Sequence, residues 1–264
     1  MSLKPNICVL QAPGINCDEE TAFAFESAGA QTERVHISQI LAGERSLEDY
    51  QALALSGGFS YGDDIRAGKV LGLELRAKQG DELNRFVAAG KAVIGICNGF
   101  QVLVETGLLP DGHISDRPKS AALAHNHSGQ FECRWTNLAV GRSVCKFAGQ
   151  ESLGPVIELP NAHGEGRFVR KHRVAYGQLF THGQVVFQYA DGNGRPTEEY
   201  PDNPNGSPGG ITGVTDPSGI ILGMMPHPER FIDTMQHPNW RRGEGSRPFG
   251  AIIFKNITQY LKKM

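Results

Sequence analysis

Cys97 stands in the run Gly95-Ile96-Cys97-Asn98-Gly99, after an apolar stretch and before Phe100-Gln101-Val102-Leu103-Val104-Glu105. A thiol with a glycine two residues away on each side suits a nucleophile on a sharp strand-to-helix turn, where the backbone is crowded. Such a turn lifts the sulfur above the sheet edge and sets it near the first N–H groups of a helix. Those groups favour a thiolate and a developing oxyanion. A buried, inert cysteine between two packing glycines fits the same five residues. The two readings part on whether the chain supplies a base, an orienting carboxylate and an oxyanion donor elsewhere.

The base and its orienter are offered by Met225-Pro226-His227-Pro228-Glu229-Arg230. Each proline biases the residue before it away from the helical region, so Met225 and His227 are expected to be extended. In extended chain, side chains two apart face the same way, which sets Glu229 beside His227. That is the pair a cysteine nucleophile needs. A chance His-x-Glu on a surface turn is the bland reading, weakened by the buried-looking strand before it. The oxyanion donor is offered by Ser56-Gly57-Gly58-Phe59: a glycine pair after a strand can turn the Gly58 N–H toward a neighbouring site. It would act with the N–H of Asn98, the residue after the nucleophile. A plain strand-to-helix turn favours glycine equally. Gln101 lies one helical turn beyond Cys97 on the same face, either to bind a substrate or as a satisfied core glutamine.

These residues need elements to hold them. Residues 6–10, 31–37, 50–55 and 92–96 read as strands. Residues 18–28, 69–89 and the stretch from 98 to Gly107 read as helices, with Asp18 as N-cap of the first. This alternation predicts an α/β fold, a mostly parallel doubly wound sheet with helices on both faces. Ligands of such sheets gather beyond the carboxyl ends of the strands, where the Gly57-Gly58 loop and Cys97 both fall. Residues 131–140, 156–159, 185–189, 211–214 and 220–225 read as further strands spaced by turns, an antiparallel or mixed extension. Residues 191–210, rich in Gly, Pro, Asn and Asp, read as a long loop, either functional or a mobile surface excursion. Residues 249–264 read as a closing amphipathic helix. With no internal repeat or linker, residues 1–264 read as a single domain.

Composition narrows the partners. A chain of 264 residues with a formal net charge of −2 has no bulk charge for nucleic acid or an anionic membrane. Five cysteines, with no Cys-x-x-Cys, fit a reducing compartment rather than a disulfide framework or a zinc ribbon. No apolar run is long enough to span a bilayer. Met1-Ser2-Leu3-Lys4-Pro5 lacks a signal-peptide core. His113, His125 and His127 have no carboxylate or cysteine at ligand spacing, so no metal site is expected. No Gly-x-x-x-x-Gly-Lys-Ser/Thr occurs, so no phosphate loop for ATP is expected.

Taken together, the Gly95–Gln101 run, the His227-Pro228-Glu229 pair and the Leu55-Ser56-Gly57-Gly58-Phe59-Ser60-Tyr61-Gly62-Asp63 loop resemble class I, triad-type glutamine amidotransferases. The loop, His163-Gly164-Glu165-Gly166-Arg167, residues 200–208 and Met225–Arg230 look like one subgroup, the glutaminase part of phosphoribosylformylglycinamidine synthase of purine biosynthesis. The resemblance covers nearly the whole chain. It implies a flavodoxin-like glutamine amidotransferase fold, with Cys97 attacking the side-chain amide of L-glutamine, His227 moving protons and Glu229 orienting it. It also implies oxyanion donors at Gly58 and Asn98, and glutamine binding by Gln101. Asn126, His127, Ser128 and nearby Phe131 look like the segment that contacts the amino-acid end of glutamine. The implied partner is a cytoplasmic synthetase that takes the ammonia, carries ATP and magnesium itself, and in some assemblies is joined by a small bridging subunit. No cofactor is implied in this chain. Two competing readings are a catalytically silent scaffold of that synthetase and a stand-alone cysteine hydrolase. The complete Cys-His-Glu set disfavours the first, and Gln101 with the subgroup segments disfavours the second.

Overall fold

The computed structural model describes residues 4–245 and 247–264. Residues 1–3 of the N-terminal stretch read above for a signal peptide lie outside the described residues. In chain order the first half is β1 (Asn6–Gln11), α1 (Asp18–Ser27), β2 (Gln31–His36), α2 (Ile37–Leu41), β3 (Ala52–Leu55), α3 (Lys69–Ala88), β4 (Ala92–Ile96), α4 (Asn98–Thr106) and α5 (Leu108–Asp111). The second half is β5 (Ala121–Ala124), β6 (Glu132–Val140), α6 (Gln150–Leu153), β7 (Val156–His163), β8 (Arg167–Arg170), α7 (Arg173–Thr181), β9 (Val185–Ala190), β10 (Ile211–Thr215), β11 (Ile221–Met224) and α8 (Phe249–Leu261).

One nine-stranded sheet runs through both halves in the order β2-β1-β3-β4-β11-β10-β9-β6-β7. The pairs β1–β2, β1–β3, β3–β4 and β4–β11 are parallel. From β11 onward every pair is antiparallel. The α/β architecture with an antiparallel extension, expected from the sequence, is therefore the one observed. β3 (ALAL) and β4 (AVIGI) are buried at every position, as strands covered on both faces by helices must be. Each Leu or Ile so buried contributes about 1.5–3 kcal/mol.

Three central strands run parallel side by side: β3, β4 and β11. Their carboxyl ends lead into Ser56-Gly57-Gly58, Cys97 and Met225-Pro226-His227 respectively. The topology thus delivers the glycine loop, the thiol and the imidazole to one place.

Several local expectations change. Cys17, not Asp18, takes the N-cap position of α1. Asp18 instead accepts from Gln11 Nε2 at 2.6 Å and Arg34 Nη1 at 3.2 Å, so its carboxylate ties α1 to β1 and β2. β5, β8 and α7 were not anticipated. β5 and β8 form a separate antiparallel ribbon beside the main sheet. β7 extends to His163, four residues beyond the expected 156–159.

Candidate active site

Cys97 sits at φ 50°, ψ −104°, a backbone conformation that L side chains rarely adopt. The two glycines make it possible. A Cβ on Gly99 would lie 1.8 Å from the Leu55 carbonyl oxygen, and one on Gly95 would lie 2.6 Å from the Gly99 oxygen. α4 can therefore start against β3 only with glycine at both sites. As first residue of α4, Asn98 leaves its N–H without an intrahelical acceptor. Its buried side chain ties the elbow to the glycine loop, accepting from Ser60 N at 3.2 Å and donating to Asp63 Oδ1 at 3.3 Å and Gln101 Oε1 at 2.9 Å. Gly58 lies at φ 141° and lines the Cys97 cleft.

His227 and Glu229 are 2% and 1% exposed, and His227 Nδ1 meets Glu229 Oε1 at 2.5 Å. With Nδ1 committed, Nε2 is left as the working nitrogen, and it has no hydrogen-bond partner among the described residues. Burial works against the His227 cation. The Glu229 carboxylate, the Cys97 sulfur and Cys17 outweigh it and hold His227 well above the usual histidine range. The Cys97 thiol donates to the Ala162 carbonyl at 3.4 Å, a long bond that is easily exchanged for one to the imidazole.

The cleft over Cys97 is small, about 230 Å³, against ~300–1,000 Å³ for drug-sized ligands. Phe59 and Phe131 flank it with ring centroids 6.4 Å apart. Asp63, Gln101, His125, His163 and Glu165 also line it. Burial, with the Glu165 charge adding, pushes Asp63 up to about 6. One Glu165 carboxylate oxygen, Oε2, is buried without a hydrogen-bond partner. A larger groove of about 850 Å³ along α3 contains neither cysteine nor histidine.

The structure brings Cys97, His227, Glu229, Gly58, Asn98, Gln101 and Phe131 together. Gln101 is already bonded on both sides: Nε2 donates to the Glu165 carbonyl at 2.6 Å while Oε1 accepts from Asn98. Asn126 is committed to the protein as well. Its Nδ2 donates to the Gln130 and His163 carbonyls at 2.9 and 2.8 Å, and its Oδ1 accepts from Gly166 N at 3.0 Å. It holds two loops together rather than facing the cleft. His127 and Ser128 line a different cleft, with Tyr200 and Asn203. Ser128 Oγ donates to Glu132 Oε1 at 2.8 Å. Sequence reasoning passed over Asp63, Glu165 and His163 as site residues, although each stood in a segment already singled out. It also passed over Cys17, which lies against the His227 ring.

His163 is buried between Asn126 Oδ1 (3.2 Å) and the Tyr189 hydroxyl (3.3 Å). An amide oxygen only accepts, so His163 Nδ1 carries the proton. Burial, helped by the nearby His227 charge, drops His163 to about 3, and it stays neutral under the site.

A cysteine elbow backed by a His–Glu pair, at the carboxyl ends of a mostly parallel sheet, defines a thiol-dependent acyl-transfer site of the amidotransferase kind. The chain belongs to the CobB/CobQ-like glutamine amidotransferase domain family, whose pattern matches residues 4–261. It is 45% identical to phosphoribosylformylglycinamidine synthase subunit PurQ of Dehalococcoides mccartyi over 264 residues, 99% of each chain. It is 39% identical to the subunit of the same name from Methanococcus maripaludis strain C7, over 98% of each chain. Among solved structures, a chain of PurLQS from Thermotoga maritima superposes with a TM-score of 0.74 at 34% identity, covering 98% of this chain and 100% of that one.

No helix of the described residues is long and apolar enough to cross a membrane.

Proposed function

We propose that this chain hydrolyses L-glutamine and supplies the ammonia to a synthetase partner that converts formylglycinamide ribonucleotide to formylglycinamidine ribonucleotide in purine biosynthesis. The observation that carries the reading is the convergence of Cys97, His227–Glu229 and the Gly57-Gly58 loop at the ends of three adjacent parallel strands. Full-length likeness to PurQ subunits and to a chain of PurLQS supports the pathway and the partner.

The reaction runs as follows. Cys97 Sγ, with its proton already on His227 Nε2, attacks the side-chain amide carbon of glutamine. The oxyanion forms toward the N–H groups of Gly58 and Asn98. His227 then protonates the leaving nitrogen, the C–N bond breaks, and ammonia departs from a glutamyl thioester. Water, deprotonated by His227, attacks the thioester through a second oxyanion, the C–S bond breaks, and glutamate leaves with the Cys97 sulfur freed beside the protonated His227. Glu229 stays ionised and steadies the imidazolium. Asp63 and Glu165 supply negative charge for the α-ammonium of the substrate, and Phe59 and Phe131 pack its methylenes. Gln101 supports this end of the cleft through the Glu165 backbone. Thioester chemistry of this kind asks for no cofactor in this chain; ATP and magnesium act on the synthetase. Five free cysteines fit a reducing, cytoplasmic setting.

Free ammonia is mostly protonated near neutral pH, so the two sites are expected to meet through a protein interface. The test is product formation by the complex with either nitrogen source. Cys97→Ala is expected to keep the partner bound and to use an ammonium salt but not glutamine. Hydrolysis of glutamine by the mutant would overturn the nucleophile assignment. Failure with ammonium despite intact assembly would give Cys97 a role beyond hydrolysis.

A further inference from the structure

Cys17 takes no part in the reaction above, yet it is buried against the base. It is 1% exposed and sits between β1 and α1. Its sulfur accepts from Arg230 Nη2 at 3.1 Å, and its thiol donates to Asn16 Oδ1 at 3.3 Å. A Cβ built on Gly57 would lie 2.8 Å from His227 Cε1 and 3.1 Å from Cys17 Sγ. Sulfur and ring therefore meet over Gly57, where a side chain would collide with both. The donor atoms of Cys17, His227 and Glu229 lie within 4.8 Å of one another. The same segment grips the oxyanion loop through its backbone. Cys17 N and Asn16 N both donate to the Gly57 carbonyl, at 3.2 and 3.4 Å, and Ile15 bridges to Gly58.

Three donors at this spacing are also what a cation site needs. The guanidinium of Arg230 against the sulfur opposes a metal ion, and the short His227–Glu229 bond already occupies the nitrogen such an ion would take. The cluster is a hydrogen-bonded one.

Resting on the glutaminase reading above, we infer that Cys17 is a positioning residue for His227: its sulfur seats the imidazole against Gly57 and keeps the Arg230 cation off the ring. Arg230 is anchored on its far side by Glu20 Oε1 at 3.0 Å, so the sulfur fills the space between a fixed cation and the base. Burial raises the Cys17 thiol above its usual range, which keeps the spacer neutral. Removing it leaves a void beside the ring and nothing between the ring and the guanidinium. A buried imidazolium next to a cation is disfavoured, so the base loses protons more easily. The groups facing His227 are Glu229 on its own turn, Cys97 from the elbow, Cys17 and Arg230, and His163 from β7, which stays neutral. Shortening Cys17 removes its own support of the imidazolium and the spacer before Arg230; both losses lower the hold on the proton, while Glu229, Cys97 and His163 stay in place.

The experiment compares wild type, Cys17→Ala and Cys17→Ser in the complex with the synthetase. It measures steady-state glutamine hydrolysis and the pH profile of Cys97 labelling by a diazo-ketone analogue of glutamine. Cys17→Ala is expected to lower kcat about tenfold with KM within about twofold. The upper limb of its labelling profile, where the imidazolium loses its proton, should move down by about one pH unit. Cys17→Ser, which can still accept from Arg230, should recover most of both. The inference fails if Cys17→Ala keeps the wild-type kcat and limb. It also fails if both variants lose melting temperature and kcat while the limb stays put, since Cys17 would then be packing alone. If Cys97 were unlabelled in the wild type, the glutaminase reading would fall instead, and the two failures are told apart.

Discussion

His227 Nδ1 and Glu229 Oε1 are 2.5 Å apart in a pocket that excludes water from both side chains. That contact fixes the tautomer of the ring and aims the other nitrogen away from the carboxylate. His227 moves the proton, whereas Glu229 only holds the mover. His227→Ala is therefore expected to cost about 10²–10⁴-fold in kcat for glutamine hydrolysis. Glu229→Gln, which keeps a hydrogen-bonding partner of the same shape, should cost less. Steady-state kinetics of both variants check the order, and equal small losses would point to another base.

Gln101 touches the cleft but spends its amide on the Glu165 carbonyl and on Asn98. Its removal should loosen the segment that presents Glu165 while leaving the elbow and the base in place. Gln101→Ala is expected to raise KM for glutamine about fivefold to tenfold, the worth of a single neutral hydrogen bond, with kcat nearly unchanged. A large fall in kcat at constant KM would mean that Gln101 acts on the transition state.

How much of this was legible in the sequence depended on how local each feature is. The Cys97 elbow is written in five consecutive residues, and the His227–Glu229 pair in three, because proline stiffness and two-residue alternation act within a single turn. The strands of the first half could be read because they are short, apolar and β-branched. Ala121-Ala122-Leu123-Ala124 carries no such signal; it is a strand only because β8 pairs with it. Asn126 looked like a substrate contact by resemblance, but its partners Gly166 and His163 lie 40 and 37 residues away. Cys17 and Arg230 are 213 residues apart, and only the folded sheet brings them together. The loop of residues 191–210 read as either functional or a mobile surface excursion. Its second half is already pinned, by Asn205 Nδ2 to the Gly166 carbonyl at 2.8 Å and by Asn203 Nδ2 to the Ser207 carbonyl at 3.0 Å. Asparagines marked it as a loop, and the same amides make it rigid.

His163 supplies a pH test of the buried network. Its folded value, near 3, lies below the unfolded one of about 6.5. The unfolded chain therefore takes up this proton first. The stability that His163 contributes by staying neutral is whole above about pH 6.5 and is lost as pH falls toward 3, at up to about 1.4 kcal/mol per pH unit. His227 is shifted the other way, so its contribution is complete below the unfolded value and is lost only as pH rises through the folded one. Between about pH 6.5 and pH 5 the slope from these two histidines belongs to His163. His163→Gln should flatten the fall in urea midpoint across that window. An unchanged slope would mean that His163 is not held neutral.

The elbow itself predicts an inversion of an ordinary stability rule. Exchanging alanine for glycine in regular structure usually costs about 0.5–1 kcal/mol, because glycine loses more backbone freedom on folding. Position 97 is held at φ 50°, ψ −104°, where any Cβ is strained and glycine is not. Strain of this kind costs about 1–3 kcal/mol and persists because β4, α4 and the Gly99–Leu55 contact fix the turn around it. Both Cys97→Ala and Cys97→Gly remove the sulfur and its bond to Ala162, so the two variants differ by one Cβ alone. Cys97→Gly is expected to be the more stable by about 1 kcal/mol, the strain released less the entropy glycine adds to the unfolded chain. Neither variant should hydrolyse glutamine. Chemical denaturation of the pair gives the difference directly. If Cys97→Ala proved the more stable, the turn would relax around a side chain at no cost, and the elbow would store no strain.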